Sequence, residues 1–440
     1  MSVASKVKAR VKTLTADEWI IALTTAGIIL PEYFFAALIC VVSLTALIHP
    51  VKRSGMMEQP GFFTALLLLP VVLIPVLFSG SVQSLIYGAV LWLIIIFMYY
   101  SASVMTVRFL GNIFDLLLLI SVAASAIGVV DHFFIGTMHD GVLRTTSIFE
   151  NANHYGYAIE LFSVIAVGRY MKTKKPLYIL VCVINIASLL LCDCRTAWVA
   201  VFAAIAAMLL FTSRNWRAIA ITAFVSLVVC TAAFFILPLI SPRFELSRIL
   251  VSYNNRSAMW HNAVEWIKKN PLFGYGTGSY EMLSTKAGVR VLKHAHNLPL
   301  NMLLDLGVIG STVFTMVMLG AIKPVFVRNF RNKYNYISSV ILGTVVATLI
   351  HGTVDVPVLG ISTAFIYVLT LSSNSIKRNE ASYGYALVPE KHSSASAGTS
   401  PVAAGAPGWS FSSMDSSALK KAERTSVYTM SNDNHSMYRF

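Results

Sequence analysis

His294 and His296 stand two residues apart in the run His294-Ala-His296-Asn297, and Lys286, Arg290 and Lys293 lead into them. An imidazole ordinarily titrates near neutral pH, so such a pair can take up and return a proton under physiological conditions. Two histidines are too few ligands to hold a metal unaided, and the expectation is a site with neither metal nor cofactor. Arg195 follows Asp193 and Cys194 at a helix start, and Arg256 follows Asn254 and Asn255. Planar guanidinium charges match phosphate oxygens and can stabilise a departing diphosphate. Arg144 precedes Glu150, Asn151, Asn153 and His154. His351 and Asp355 are four apart, on one face if a helix continues through them. Asp355 could orient a histidine or cap a turn before Pro357, and Asp193 could pair with Arg195.

These groups are scarce in a chain of 440 residues that is 56% apolar and 12% charged, with a mean hydropathy of +0.69. Soluble domains carry about twice that charged fraction, so most of the chain faces lipid. A net charge of +14 would suit nucleic acid. The basic residues instead fall in short clusters between apolar runs, which is the pattern of membrane topology. No secretory signal stands out in the first residues. Cys40, Cys182 and Cys230 lie in apolar runs as packing residues, and Cys192 and Cys194 read as structural. Asp115, a carboxylate inside an apolar run near an inner helix end, could snorkel.

The elements that must position the polar groups are helices. The expected fold is all-α, a polytopic transmembrane bundle of about twelve helices. Spans fall near 18–30, 33–48, 62–78, 84–100, 110–130, 155–170, 177–192, 196–211, 217–237, 298–321, 336–353 and 357–372. Residues 1–17 form a cytoplasmic amino terminus, 18–237 carry helices one to nine, and 298–372 carry helices ten to twelve. Residues 238–297 form a large extracytoplasmic helical loop, and 373–440 a disordered cytoplasmic tail. Lys52 and Arg53, Arg108, Arg169 to Lys175, Arg214 and Arg217, and Lys323 to Lys333 occupy alternate connections. The short connections on the other side hold only Arg144 and Arg195. Both termini are therefore expected in the cytoplasm, with the chain in the cytoplasmic (inner) membrane.

Under that topology the arginines, histidines and carboxylates converge on one outer rim. A connection as long as 238–297 is usually functional. Within it, Asn254 and Asn255 read as helix caps and Pro271 as a stop. Met259, Ala263, Trp266 and Ile267 recur at helical spacing, which predicts an amphipathic helix lying against the membrane or the bundle top. Trp260 and Trp266 suit an interfacial position. Gly274, Gly276 and Gly278 predict a tight turn or a close approach of backbone to a ligand. No strand precedes them, which argues against a nucleotide loop.

Taken in order, Arg195-Thr-Ala, Arg256-Ser-Ala-Met-Trp260, Asn270-Pro-Leu-Phe-Gly-Tyr-Gly276, His294-Ala-His-Asn297 and Leu306-Gly-Val-Ile-Gly310 resemble the bacterial O-antigen ligase and polysaccharide polymerase superfamily. The resemblance is strongest over 256–310. It implies metal-independent transfer of a glycan from undecaprenyl diphosphate to an acceptor hydroxyl, at the outer face of the cytoplasmic membrane, in surface polysaccharide biosynthesis. It also implies that Arg195 and Arg256 contact the diphosphate and that His296 is the base or orients the acceptor, supported by Asn297. Asn153 fits a looser asparagine motif, and His351 with Asp355 resembles a histidine–aspartate pair. His294, Arg290 and Arg144 complete the substrate-binding candidates.

In-line attack would invert the anomeric carbon. The implied partners are the lipid-linked glycan, a glycan, lipid or wall acceptor, membrane lipid, and other polysaccharide-assembly proteins. Nucleic acid is not among them. Polymerase, ligase and protein O-glycosyltransferase all stay open, with a polymerase or a broadly defined ligase-like protein favoured because nothing resembles a protein-recognition domain. The alternative from another class is a polytopic transporter or lipid-linked glycan flippase. Against it stand the lack of a sequence repeat and the gathering of polar residues at the rim rather than at mid-membrane.

Overall fold

Apolar runs broken by proline, glycine and short polar connections favour helices, because backbone amides in lipid must be satisfied within their own segment. The computed structural model describes residues 14–376, apart from 137, 140–141, 213–216, 332–335 and many positions between 218 and 244. The described chain is helical, with one small exception: β1 (Met138–His139) pairs antiparallel with β2 (Val142–Leu143). The first half comprises α1 (Ala16–Ala26), α2 (Glu32–Ile48), α3 (Pro50–Met57), α4 (Phe62–Ser79), α5 (Val82–Val104), α6 (Val107–Val130) and α7 (Ala152–Thr173). There follow α8 (Leu177–Cys192), α9 (Arg195–Thr212), α10 (Leu246–Lys269), α11 (Ser279–Lys286), α12 (Leu298–Arg331), α13 (Tyr336–Gly352) and α14 (Ile361–Ser372).

Three helical stretches, Val82–Val104, Val107–Ile135 and Leu298–Val325, are each long and apolar enough to cross a membrane. The pair α2 and α3, bent by 90°, adds a fourth if taken as one span. Pro50 sits at that bend, where its ring cannot continue the preceding helix. Phe62–Leu77, Leu177–Cys192, Arg195–Phe211 and Tyr336–Gly352 are shorter apolar helices. Every expected span except 217–237 contains a helix; that one lies largely outside the described residues, as do the expected tail and most of the amino terminus.

The centre of the bundle is α7, whose side chains are buried almost without interruption from Ala152 to Arg169. It packs against α8, α9 and α13. Some polar groups inside this core are paired: the Tyr157 and Thr348 hydroxyls lie 2.6 Å apart. Asp115, half-buried, receives two hydrogen bonds from Arg169, each 2.8 Å, and a third from the Tyr178 hydroxyl. A bidentate arginine on a neighbouring helix satisfies the carboxylate within the protein.

The long connection packs onto the bundle through its glycine turn. Helix α12 breaks at Gly307 (φ 63°), and the turn after Pro271 docks into the break. Val308 N–H donates to Pro271 O (2.8 Å), Tyr275 N–H to Leu304 O (2.9 Å) and Gly276 N–H to Asp305 O (2.8 Å). A Cβ at Gly274 (φ 70°) would lie 2.6 Å from Gly307 N, and one at Gly307 would lie 2.5 Å from Phe273 N. Of the two expected roles, the tight turn is observed, with Gly274, Gly276 and Gly278 all at positive φ; the close approach that accompanies it is to protein backbone. Gly307→Ala is expected to cost on the order of 2–4 kcal/mol, from a disfavoured positive φ together with an unavoidable overlap. Gly80→Ala is the control: it shares the positive φ (64°) but has open space around it. It should cost about 1 kcal/mol at most. Thermal unfolding of the two variants in detergent separates the contributions.

Helix α10 begins earlier than expected. Asn254 and Asn255 do not cap it; they lie within a helix that starts at Leu246 and ends at Lys269, just before Pro271. Asparagine is tolerated within a helix where tertiary contacts decide the structure. The buried stripe, Met259 and Ala263 with Trp266 and Ile267 alongside, packs on Tyr280, Ala295 and Leu304. The tryptophans therefore serve protein contacts: Trp266 meets the Tyr280 ring edge-on at 5.2 Å, and Trp260 donates to His296 O at 3.2 Å.

Candidate active site

A single hydrogen-bonded line joins four residues from three separate parts of the chain. Arg144, 7% exposed, donates to Cys192 O at 3.2 Å and to Asn153 Oδ1 at 2.7 Å. The Asn153 amide donates from Nδ2 to Asp355 Oδ2 at 2.6 Å. Asp355 Oδ1 lies 3.0 Å from His296 Nδ1. Having arginine on one side and a carboxylate on the other fixes which way the Asn153 amide points. With Nδ1 committed to Asp355, Nε2 is left as the ring nitrogen able to accept a proton from outside the line.

Local structure explains how these groups meet. Asn151 caps α7 by accepting from Asn153 N and His154 N, both at 2.9 Å, which places Asn153 in the first turn. Asp355 lies just past α13, where its N–H still donates to His351 O at 3.1 Å. His296 adopts φ 50°, a left-handed conformation that non-glycine residues rarely hold. Such a backbone costs on the order of 1–3 kcal/mol and persists only where surrounding contacts enforce it. Those contacts are visible. Asn301 Oδ1 accepts from Ala295 N at 3.0 Å, and Asn301 Nδ2 donates to Asp305 Oδ2 at 2.7 Å. Asp305 Oδ1 in turn accepts from the Ser279 hydroxyl at 2.8 Å. Asn297 caps α12 through Leu300 N at 3.0 Å and donates to Thr353 O at 2.9 Å, tying the histidine segment to the turn that carries Asp355.

Asp355 is buried, which alone would favour its neutral form, but the charge and hydrogen bond of His296, with help from His294 and His351, hold its pKa well below 3.8. Burial and then the neighbouring His296 push His294 down to about 3, so that ring is neutral at physiological pH. A carboxyl whose pKa is depressed by folding adds stability above its unfolded value of about 3.9 and loses it as pH falls through the folded value. Acidification below about pH 4 should therefore destabilise the wild type more steeply than Asp355→Asn. Melting temperature against pH for the two proteins checks this; parallel curves would contradict it.

His296 lines a cleft with five arginines, Arg144, Arg195, Arg248, Arg256 and Arg290, in an open volume of about 1150 Å³. Arg256 donates to Ser252 Oγ at 3.1 Å one turn back on α10, which directs the guanidinium along the helix. The cleft also takes in Asn153 and Asn255. Concentrated positive charge beside one histidine suits a substrate carrying phosphate and a hydroxyl to be deprotonated.

His351 is placed apart from this cleft. Its Nδ1 lies 2.6 Å from Glu160 Oε1 in the buried interface of α7 and α13. The side-chain partner of Asp355 is His296, with His294 at 3.7 Å. On α13 the His351 side chain faces α7, while Asp355 sits beyond the helix end, where four-residue spacing no longer puts two side chains on one face. Glu160, Asn301, Asp305 and Arg248 were not singled out from the sequence. A polar residue inside an apolar run was the available signal for the first three.

Among the described residues, His294, His296 and Asp355 form the one group with the composition of a metal site, their ligand atoms lying within 4.8 Å of one another. Three such donors with a solvent ligand could hold a divalent ion. The Asp355 oxygen nearest His296 Nδ1 is equally placed to accept its N–H.

The fold and the cleft define a helical, multi-pass membrane protein with an arginine-lined site beside a histidine–carboxylate pair. Residues 180–315, about a third of the chain, match the family model described as O-Antigen ligase. The resemblance drawn from the sequence motifs thus holds across α8 to the middle of α12, and the chain is O-antigen ligase-like there. The match contains Arg195, Arg256, Arg290, His294, His296 and Asn297, while Arg144, Asn153, His351 and Asp355 lie outside it. No curated protein matches the chain.

Proposed function

We propose that the protein transfers a glycan from undecaprenyl diphosphate to an acceptor hydroxyl at the outer face of the cytoplasmic membrane, in a twelve-span topology with both termini inside. The observation that carries the proposal is the line Arg144–Asn153–Asp355–His296, in a cleft that holds four further arginines. The arginines hold the diphosphate, with Arg195 and Arg256 nearest the leaving oxygen. His296 Nε2 takes the acceptor proton as the hydroxyl oxygen bonds to the anomeric carbon. The carbon–oxygen bond to phosphate breaks, the diphosphate departs with its charge held by guanidinium groups, and the anomeric carbon inverts. Asp355 fixes the imidazole tautomer and stabilises the imidazolium that forms.

A diphosphate leaves readily, and the cationic cleft supplies the charge a metal would otherwise provide. Transfer is therefore expected to survive EDTA treatment of the purified protein. Loss of activity on chelation, restored by a divalent ion, would move the histidine–aspartate group from proton chemistry to metal binding.

Lipid-linked glycans that accumulate in cells lacking the protein test the function itself. A ladder collapsed to single repeats means a polymerase, the outcome favoured here, and intact polymer stranded on its carrier means a ligase. An unchanged profile would sink both.

A further inference from the structure

A second cleft opens on the other side of the histidines, and its chemistry is opposite. It is lined by Glu32, Tyr33, Tyr87, Glu150, His154 and Glu281. His294 also lines it, and the His294 and His296 rings stand 4.3 Å apart, edge to face. One histidine therefore faces each cleft, and Asp355 contacts both. Lys293 forms an ion pair with Glu150. Against three carboxylates that single cation leaves the cleft net negative, where the neighbouring cleft is strongly positive.

Carboxylates beside tyrosine rings provide acceptors for hydroxyl groups and flat apolar faces for the carbon side of a pyranose. His154 supplies an independent sign of a ligand: it is 5% exposed and lines the cleft, and its Nε2 is buried without a hydrogen-bond partner. A buried polar atom left unpaired is costly, and a bound hydroxyl would satisfy it. Leu91, Thr277 and Leu359 also line an apolar cavity between α5, α12 and α14, so the cleft adjoins an apolar space.

We infer that the carboxylate cleft is the acceptor subsite and takes the hydroxyl-bearing sugar of a glycan whose reacting end is uncharged or carries an amine. The inference rests on the transfer reading above. Like charge excludes a diphosphate or an acidic sugar from this side, so the two substrates sort themselves across the histidine pair.

The test uses the full chain reconstituted in liposomes, with the host's lipid-linked glycan as donor. Acceptors are the host's own glycan and the same glycan with its primary hydroxyls oxidised to carboxylates. Glu281→Gln and Tyr33→Ala should each raise the acceptor KM about tenfold while the donor KM stays within about twofold. The Tyr33 side chain is 83% exposed, so its removal leaves the core intact even if the other variant folds poorly. Wild type should use the oxidised acceptor poorly, and Glu281→Lys should improve that use about tenfold. Equal use of both acceptors by wild type, or a change confined to the donor KM, would overturn the inference. Failure of the underlying reading looks different: His296→Ala would then transfer as well as wild type, whatever the second cleft does.

Discussion

His296→Ala is expected to lower the transfer rate by about 10²–10⁴-fold, the usual contribution of a positioned general base. The effect should fall on kcat. Donor binding should change little, because four of the five arginines, Arg144, Arg195, Arg248 and Arg256, lie on other segments. The imidazole is held by Asp355 at one nitrogen and by a strained backbone, so no neighbouring side chain can move in to replace it. His294 is the nearest substitute, but its own ring is buried and neutral, with a pKa near 3, and is a poor proton acceptor at any working pH. Asp355→Asn should lose a comparable part of the rate, because an amide keeps the ring in place but no longer enforces the tautomer that leaves Nε2 free, nor supplies the charge that stabilises its protonated form. Retention of more than about a tenth of wild-type kcat by His296→Ala would be too small a loss for a general base.

Removing the arginine fork should have the second-largest effect. Arg195→Ala and Arg256→Ala are each expected to cost about 10²–10³-fold in kcat/KM, the range seen when one preorganised donor to a developing oxyanion is lost. Lysine should restore only part of this at either position, since a point charge cannot match two phosphate oxygens at once. Arg256 has its partner on its own helix, so its exchange should leave unfolding unchanged while activity falls. Kinetics combined with thermal unfolding of Arg256→Ala and Arg256→Lys make that check. A fall in stability parallel to the fall in activity would reassign Arg256 to structure.

The sequence announced the membrane and the rim more readily than the pairings. Basic clusters alternating with apolar runs are local patterns, and helices stand at eleven of the twelve expected spans. Arg195 stood out because a charged group is expensive at a helix end in an apolar chain, His296 because an imidazole can move a proton near neutral pH, and Arg256 through the motif resemblance. The connection between Asp355 and His296 crosses 59 positions, and only the packing of α12 against α13 creates it. Four-residue spacing proposed His351 for that carboxylate, but the helix ends between them and His351 turns to Glu160 instead. Asn301 and Asp305, which hold the histidine segment, are four apart in a stretch otherwise apolar enough to read as a plain span. Their spacing on one helix face was a signal that could have been used. Asn254 and Asn255 misled for the opposite reason. Cap preferences are weak priors, and the tertiary contacts of α10 carried the helix past them.

The most direct test of glycan transfer at this site is the stoichiometry of carrier release. Purified protein in liposomes, supplied with lipid-diphosphate-linked glycan and acceptor, should free one undecaprenyl diphosphate for each new glycosidic bond formed. His296→Ala should free almost none. Movement of intact lipid-linked glycan across the bilayer with no carrier released would contradict the account and make the arginine cleft a transport site.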